Sequence, residues 1–232
     1  PEGASSQADD SAEHPRLWPL LALGLGSLLE PAFDGIEFFL FGAIQLAVVA
    51  NPLVENFNKN FSVLAMPYIY DNPEHQRRVF TGDTLSALFS STKGNGFEVL
   101  TAYTAGARSM YVKGAPIQTP EDMKGKKIRV MQSDTMVKML GCMGGTGVPM
   151  GQGEVYSAIQ QGVLDGAENN EITYADLKQY EVAPHFSYTR HVMVADLLVA
   201  GSNHKIGAAA DALLEKLSGR QMLTTMQVIG HV

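Results

Sequence analysis

The regular alternation of strand-like and helix-like segments limits the fold of this chain more than any other feature. Apolar runs rich in β-branched and aromatic residues predict strands at 43–50, 97–104, 108–112, 127–131, 163–167 and 192–200. Helical patterns lie between the later strands, at 134–140, 153–161 and 171–180. Because alternating β and α segments form sheets flanked by helices, this order predicts an α/β fold with largely parallel strands.

Local capping signals bound the strand predicted at 127–131. Before it, Thr119 and Asp122 form a T-x-x-D capping box, with Pro120 at the first helical position. After it, Ser133 is a typical N-cap residue for the next helix. We therefore expect a short helical turn, a strand and a helix in close succession.

The N-terminal region contains a segment that could be mistaken for a targeting signal. The apolar run 17–29, LWPLLALGLGSLL, follows Arg16 but is too short to span a bilayer. The residues before it are acidic rather than basic, and no small-x-small cleavage site follows. We favour a buried helix over a signal-peptide remnant for 17–29, and we expect 1–13 to be disordered.

Charge and cysteine content exclude several classes of function. The 232 residues carry 24 acidic and 17 basic side chains, a formal net charge of −7. No run of Lys or Arg is longer than two, so we expect no nucleic-acid binding. The single cysteine, Cys142, excludes an internal disulfide and any multi-cysteine metal site, and we interpret it as a small buried thiol.

The familiar catalytic and cofactor motifs do not match this sequence. The glycine-rich segment 141–147, GCMGGTG, follows a helix rather than a strand and lacks Lys-Ser/Thr, so we interpret it as a helix end and a loop. The sequence has no G-x-S-x-G, H-E-x-x-H or C-x-x-C, and its six histidines have no ligand spacing. His191 enters an apolar strand and is interpreted as structural. We predict no catalytic residue, cofactor or metal.

Three polar residues lie at or near predicted strand ends, where α/β folds bind ligands. They are Arg108, Arg129 and Asn169. Arg129 alternates with two apolar neighbours, so its guanidinium faces away from the core, toward a cleft or toward solvent. Taken singly, a strand arginine is more often a surface residue, and Asn169 followed by Asn170 is more often part of a turn.

Six longer motifs occur in a fixed order between about Gly42 and Ser202. They are GAIQLAVVANPLVENF, LAMPYIYDNPEHQRRVF, AGARSMYV, PIQTPEDMKGKKIRVMQS, MLGCMGGTGVPMGQGEVYSAIQQGVLDGAENN and YEVAPHFSYTRHVMVADLLVAGS. Together they resemble the solute-binding proteins of tripartite ATP-independent periplasmic (TRAP) transporters, of the dicarboxylate-binding family. The motifs GARSMYV, RVMQS and DGAENN look most like those of members that bind sugar acids such as uronates or aldonates.

The resemblance implies a periplasmic receptor rather than an enzyme. Two α/β lobes would surround a cleft, as in periplasmic binding proteins, and would close on a small organic acid for delivery to a TRAP membrane permease. Lobe 1 would comprise 1–105 and 195–232, and lobe 2 would comprise 106–194.

The resemblance also implies a set of ligand-binding residues. Arg129, the arginine of K-I-R-V, would form a bidentate salt bridge with the ligand carboxylate, because a planar guanidinium matches a carboxylate and keeps its charge when buried. Asn169 of D-G-x-E-N would contact the same carboxylate, and Arg108 of G-x-R would be a second arginine. Asp196 and Gln152 would contact hydroxyl groups of the ligand. Asp196 would also contact its distal polar end, and Asn51 would contact it from the first-lobe loop.

The chain departs from the family pattern in three places. FDGIEFFLF runs almost directly into GAIQLAVV, so we expect a shortened first lobe. Gly151-Gln152 replaces an aromatic residue that usually follows P-M, and the sequence ends after MQVIGHV, before the closing segments typical of the family. Two alternatives therefore stay open: a sensory or scaffold protein of the same fold, and a small-molecule hydrolase or isomerase with a His or carboxylate dyad in the cleft.

Overall fold

The structure, a computed structural model, describes residues 46–201. Its strands are β1 (Leu46–Ala50), β2 (Phe97–Val112), β3 (Lys127–Val130), β4 (Thr146–Pro149), β5 (Gly166–Asn169) and β6 (His185–Gly201). Its α-helices are α1 (Asn51–Val54), α2 (Pro73–Thr81), α3 (Ser86–Ser90), α4 (Asp134–Cys142), α5 (Gln152–Gln160) and α6 (Glu171–Asp176). Short 3-10 helices cover Lys59–Ala65, Asp83–Leu85, Ser91–Asn95, Pro120–Met123 and Gln179–Glu181. The expectations for 1–13, 17–29 and the shortened start of the first lobe lie outside the described residues.

The strands form one mixed sheet in the order β1-β6-β2-β5-β3-β4. Only β3 with β4 and β3 with β5 pair in parallel, whereas β1 with β6, β6 with β2 and β2 with β5 pair antiparallel. The α/β class is confirmed, but the expectation of largely parallel strands is wrong. The reason is that the long strands β2 and β6 pair antiparallel with each other along most of their length, and β5 and β1 add antiparallel to their outer edges.

The two central strands are longer than the sequence pattern predicts. β2 joins the two strands predicted at 97–104 and 108–112, and β6 begins at His185 rather than at 192. The pairing with β6 shifts register between Thr104 and Ala107, where Gly106 has a φ of 78°. A long antiparallel partner absorbs such an extra residue as a β-bulge, so the chain bends without ending the strand.

Three buried apolar clusters pack against this sheet. The first, around Phe61, Phe97 and Leu197, draws its buried members from 47–99 and 195–199. The second and third draw theirs from 110–194 and pack around the residues Ile128, Leu140, Tyr111 and Ile159. The lobe boundaries near 105 and 195 stay a prediction. The first cluster and the other two meet on β2 and β6, so these two strands connect the part of the molecule around the first cluster with the part around the other two.

The segment 162–170 folds three residues later than predicted. The strand expected at 163–167 is β5, Gly166–Asn169, and Val163 is 54% exposed. A Cβ atom at position 166 would lie 2.0 Å from the Tyr111 carbonyl oxygen, so only glycine allows β2 and β5 to approach this closely. The shift places Glu168 and Asn169 inside the strand instead of in a turn.

Smaller corrections concern the glycine-rich segment that follows α4. Thr146 and Gly147, expected in a loop, belong to β4, which pairs with β3 at the edge of the described sheet. Cys142 is exposed rather than buried, because it lies at the last position of α4. The capping box is as predicted, since Asp122 Oδ2 accepts a hydrogen bond from the Thr119 amide at 2.8 Å.

Candidate ligand-binding site

A cavity of about 180 Å³ opens between the strand β1 and the ends of β3 and β5. Residues of both proposed lobes form its walls, and β2 and β6 run from one lobe to the other. The polar lining residues are Arg108, Arg129, Gln152, Asn169, Asn170, Thr173 and Asp196. The apolar lining residues are Val48, Val49, Ala50, Leu53, Ala105, Met131 and Val194. Five of the six side chains that the sequence indicated therefore line one cavity.

Arg129 is held in the cavity wall by β3. Its two strand neighbours, Ile128 and Val130, are fully buried in the core, and the alternation of β3 turns the guanidinium to the other face. The side chain is only 3% exposed. Nε donates to the Met150 carbonyl oxygen at 2.7 Å, and Nη1 donates to Gln152 Oε1 at 2.8 Å. These two neutral acceptors fix the orientation of the guanidinium in the cavity wall.

Asn169, at the last position of β5, has its carboxamide orientation fixed by two donors. Its Oδ1 accepts from Arg108 Nη1 at 2.7 Å and from the Asn170 amide at 2.9 Å. The remaining group, Nδ2, donates to Gln152 Oε1 at 3.2 Å. Since both donors lie on the oxygen side, the NH₂ group of Asn169 must face the same space as the Arg129 guanidinium.

Arg108 is engaged by an internal partner, Glu168. Arg108 Nε and Nη2 donate to Glu168 Oε2 and Oε1 at 2.5 and 2.9 Å, and Nη2 also donates to the Glu168 carbonyl oxygen at 2.7 Å. This bidentate ion pair is almost completely buried. Arg108 also lines the cavity, and its expected contact with the ligand stays a prediction. Its geometry serves to neutralise Glu168 and to orient Asn169.

The buried ion pair strongly changes the acidity of Glu168. Burial alone raises the pKa of this carboxyl, but the charge and hydrogen bonds of Arg108 and the proximity of His191 outweigh it and lower the pKa to about 2. His191, on β6, lies with Nε2 3.7 Å from Glu168 Oε2 and with Nδ1 2.8 Å from the Thr189 hydroxyl. His191 is buried, as expected of a structural histidine, but its Nε2 has no hydrogen-bond partner within residues 46–201.

Acidification should therefore destabilise the fold through Glu168. A carboxyl whose pKa falls from its ordinary 4.5 to about 2 on folding stabilises the native state above pH 4.5 and loses that contribution as the pH falls toward 2. Between pH 7 and pH 3 the loss from this group is about 2 kcal/mol. Denaturant titrations at both pH values measure it. The Glu168→Gln variant should show a pH dependence smaller by that amount, and an equal pH dependence would contradict the assignment.

Asp196, which lies on β6, and Asn51, which lies in α1, occupy different environments. Asp196 lines the cavity, and burial raises its pKa although the charge of Arg108 opposes this. Asn51 is fully buried at the start of α1 and does not line the cavity. Its Oδ1 accepts a hydrogen bond from the Ala195 amide at 2.9 Å. This bond joins α1 to β6, and the ligand contact expected of Asn51 stays a prediction.

Two further polar residues, Asn170 and Thr173, line the cavity, although the sequence had not indicated them as site residues. Asn170 caps α6, since its Oδ1 accepts from the Thr173 amide at 2.7 Å, and its Nδ2 donates to the Ala105 carbonyl oxygen at 3.0 Å. Thr173 lies in the first turn of the same helix. An N-cap residue directly after a strand signals that the first helical turn borders the end of that strand. That signal, present in the sequence as N-N-E-I-T, could have identified both residues.

The comparisons with known proteins agree with this architecture. The family model for bacterial extracellular solute-binding proteins, family 7, matches residues 25–204. The chain therefore belongs to this family, the solute-binding proteins of TRAP transporters, and the resemblance seen in the motifs is confirmed.

Solved structures of this family resemble the chain closely. A TRAP periplasmic solute-binding protein from Anaerococcus prevotii with bound α/β-D-glucuronate is 36% identical, with a TM-score of 0.71 over 82% of this chain and 67% of that one. One from Xanthobacter autotrophicus with bound β-D-galacturonate is 33% identical, with a TM-score of 0.69 over 73% of this chain and 56% of that one. The two-lobe solute-binding fold is thereby confirmed as the fold of this chain.

Curated relatives are longer than this sequence. The C4-dicarboxylate-binding periplasmic protein DctP of Rhodobacter capsulatus is 27% identical over 182 residues, which is 77% of this chain and 54% of that protein. The chain spans about half the length of the curated relatives it matches. Among residues 46–201, no helix has the length and apolar character needed to cross a membrane.

Proposed function

We propose that this chain binds a sugar acid, with a hexuronate as the favoured ligand, in the cavity between β1 and the ends of β3 and β5. One observation carries the proposal: the Arg129 guanidinium and the Asn169 NH₂ group converge on a single acceptor position, 2.8 and 3.2 Å from the oxygen that lies there. Charged and neutral donors that meet at one point suit a carboxylate oxygen. Arg129 and Asn169 would hold the acid group.

The rest of the cavity suits a polyhydroxylated body attached to that carboxylate. Asp196, Asn170 and Thr173 provide a carboxylate, an amide and a hydroxyl group, and apolar side chains form the other half of the wall. Related structures hold D-glucuronate and β-D-galacturonate, which supports the same ligand class here. The net charge of −7 repels an anion at long range, so affinity must come from the local donors.

We also infer the cellular role from the family. The receptor would act in the periplasm, closing its lobes, 1–105 with 195–232 and 106–194, on the sugar acid and presenting it to a TRAP membrane permease. Uptake of the unchanged ligand, rather than catalysis, would be its function. The Glu168 carboxylate supports this, because its bidentate pairing with Arg108 keeps it from acting as a general base.

A thermal-shift panel tests the proposal. D-glucuronate and D-galacturonate should raise the melting temperature, since a ligand at 100 times its Kd stabilises the native state by about 2.7 kcal/mol. D-glucose, which lacks the carboxylate, should give no shift, and succinate should give a smaller one. A flat response to every acid would favour the sensory or scaffold alternative. Product formation from a bound uronate, followed by NMR, would instead establish an enzyme.

A further inference from the structure

Gln152 Oε1 lies at the point where the two proposed carboxylate donors meet. Arg129 Nη1 donates to it at 2.8 Å and Asn169 Nδ2 donates to it at 3.2 Å. The atom facing Arg129 must be an oxygen, because a guanidinium can only donate. The atom of Asn169 that faces Gln152 must be the nitrogen, because Arg108 and the Asn170 amide both donate to Asn169 Oδ1.

We propose that Gln152 is an internal placeholder, whose Oε1 takes the position of one oxygen of the ligand carboxylate and is displaced when the ligand binds. This proposal rests on the proposed function and goes beyond the hydroxyl-binding role first expected of Gln152. An oxygen that accepts from both Arg129 Nη1 and Asn169 Nδ2 must lie within hydrogen-bond distance of each. Two oxygens cannot occupy that position together, so the amide and the carboxylate exclude each other.

The surroundings of Gln152 allow the side chain to leave. It is the first residue of α5 and lies between Gly151 and Gly153, and its own side chain is only partly buried. Its Nε2 is buried and has no hydrogen-bond partner within residues 46–201. A buried, unsatisfied amide NH₂ group is unfavourable, so rotation into the cavity restores hydrogen bonds to Nε2 while it vacates the acceptor position.

The placeholder would increase selectivity for acids over neutral sugars. A ligand must offer Arg129 and Asn169 an acceptor better than the Gln152 amide in order to displace it. A carboxylate does so, because a guanidinium bonds more strongly to a charged oxygen than to a neutral amide oxygen. A sugar hydroxyl offers only another neutral acceptor and gains nothing from the exchange. Discrimination thus arises from competition with the protein's own side chain.

Two substitutions of Gln152 test this by isothermal titration with D-glucuronate. Gln152→Glu places a carboxylate of nearly the same shape between Arg129 and Asn169, so Kd should rise at least about 100-fold. Gln152→Ala removes the competitor, so Kd should fall by roughly 3- to 10-fold. The proposal is overturned if Gln152→Glu binds like the original protein, or if Gln152→Ala weakens binding as Arg129→Ala does, since Gln152 would then be a ligand contact.

Melting temperatures of the same proteins without ligand keep this test separate from the proposed function. Gln152→Glu should raise the melting temperature through the new ion pair, and the gain should vanish when Arg129→Met is combined with it. That result supports the placeholder geometry even if no sugar acid binds, an outcome that would overturn only the proposed function. A Gln152→Glu protein with no gain, or with a gain that persists beside Arg129→Met, would show that Oε1 does not mark a carboxylate position.

Discussion

Arg129→Ala is expected to weaken D-glucuronate binding by roughly two to three and a half orders of magnitude in Kd, which corresponds to about 3–5 kcal/mol. Arg129 is 3% exposed and lies in the cavity wall, so a carboxylate bound there gives up its water. Removing the guanidinium leaves that carboxylate buried without a positive partner, which costs more than the loss of one hydrogen bond. Isothermal titration calorimetry measures the change directly.

Two companion variants separate charge from geometry. Arg129→Lys keeps the positive charge but loses the planar fork and the Nε bond to Met150, so it should recover only part of the lost affinity. Arg77→Ala is the matched control, because Arg77 is exposed on α2 and pairs only at the surface with Glu74. Its Kd should equal that of the original protein. A loss of less than tenfold in Arg129→Ala would show that Arg129 is not the main anchor.

The sequence predicts the positions of Arg129 and Asn169 in the fold well, because their signals are local. Arg129 alternates with Ile128 and Val130, and that alternation alone turns its guanidinium away from the core. The capping residues Thr119 and Ser133 lie before and after β3, and both β3 and α4 begin where expected. The sequence places Asn169 near the end of a strand. Asn169 is the last residue of β5, although that strand begins three residues later than predicted.

The sequence predicts the pairing of the central strands poorly, because pairing depends on distant residues. Gly106 looks like a break between two strands, but in the sheet it lies at a bulge between β2 and β6. β2 contributes to all three core clusters and β6 pairs with it from far along the chain, so their length is set by residues about 70 to 100 positions apart. No local pattern carries that information.

The role of Arg108 could not be predicted from its own neighbourhood either. G-x-R indicates an arginine at a strand end, yet Arg108 and Glu168 are brought together only by the antiparallel pairing of β2 with β5. Glu168 taken alone gives no sign that it will be buried. The contacts of Gln152 could not be predicted locally either, because only the fold brings its amide oxygen within hydrogen-bond distance of both Arg129 and Asn169.

The ion pair of Arg108 with Glu168 connects the stability of the sheet with the shape of the site. It joins β2 to β5 beneath the cavity, and His191 approaches Glu168 from β6. Arg108 also fixes the Asn169 carboxamide, so one guanidinium serves both the core and the binding wall. Substitutions here should therefore change folding and affinity together, unlike substitutions of Arg129.

Arg108→Met is expected to lower the melting temperature by about 6–20 °C, corresponding to a loss of about 3–5 kcal/mol. Glu168 is fully buried, and without the guanidinium its carboxylate must either stay charged without its partner or take up a proton. Thermal unfolding followed by circular dichroism measures the effect. Lys59→Ala provides the control, because the ion pair of Lys59 with Asp134 is exposed and should change stability little.

The double variant Arg108→Met with Glu168→Gln distinguishes a stranded charge from a packing defect. If the loss in Arg108→Met comes from the unpaired carboxylate, neutralising Glu168 should recover part of the stability, because a neutral amide is less costly to bury than a charge. If the loss comes from packing, the double variant should be no more stable than Arg108→Met. In both proteins the Asn169 carboxamide loses the donor that orients it, so affinity for D-glucuronate should stay reduced even where stability returns.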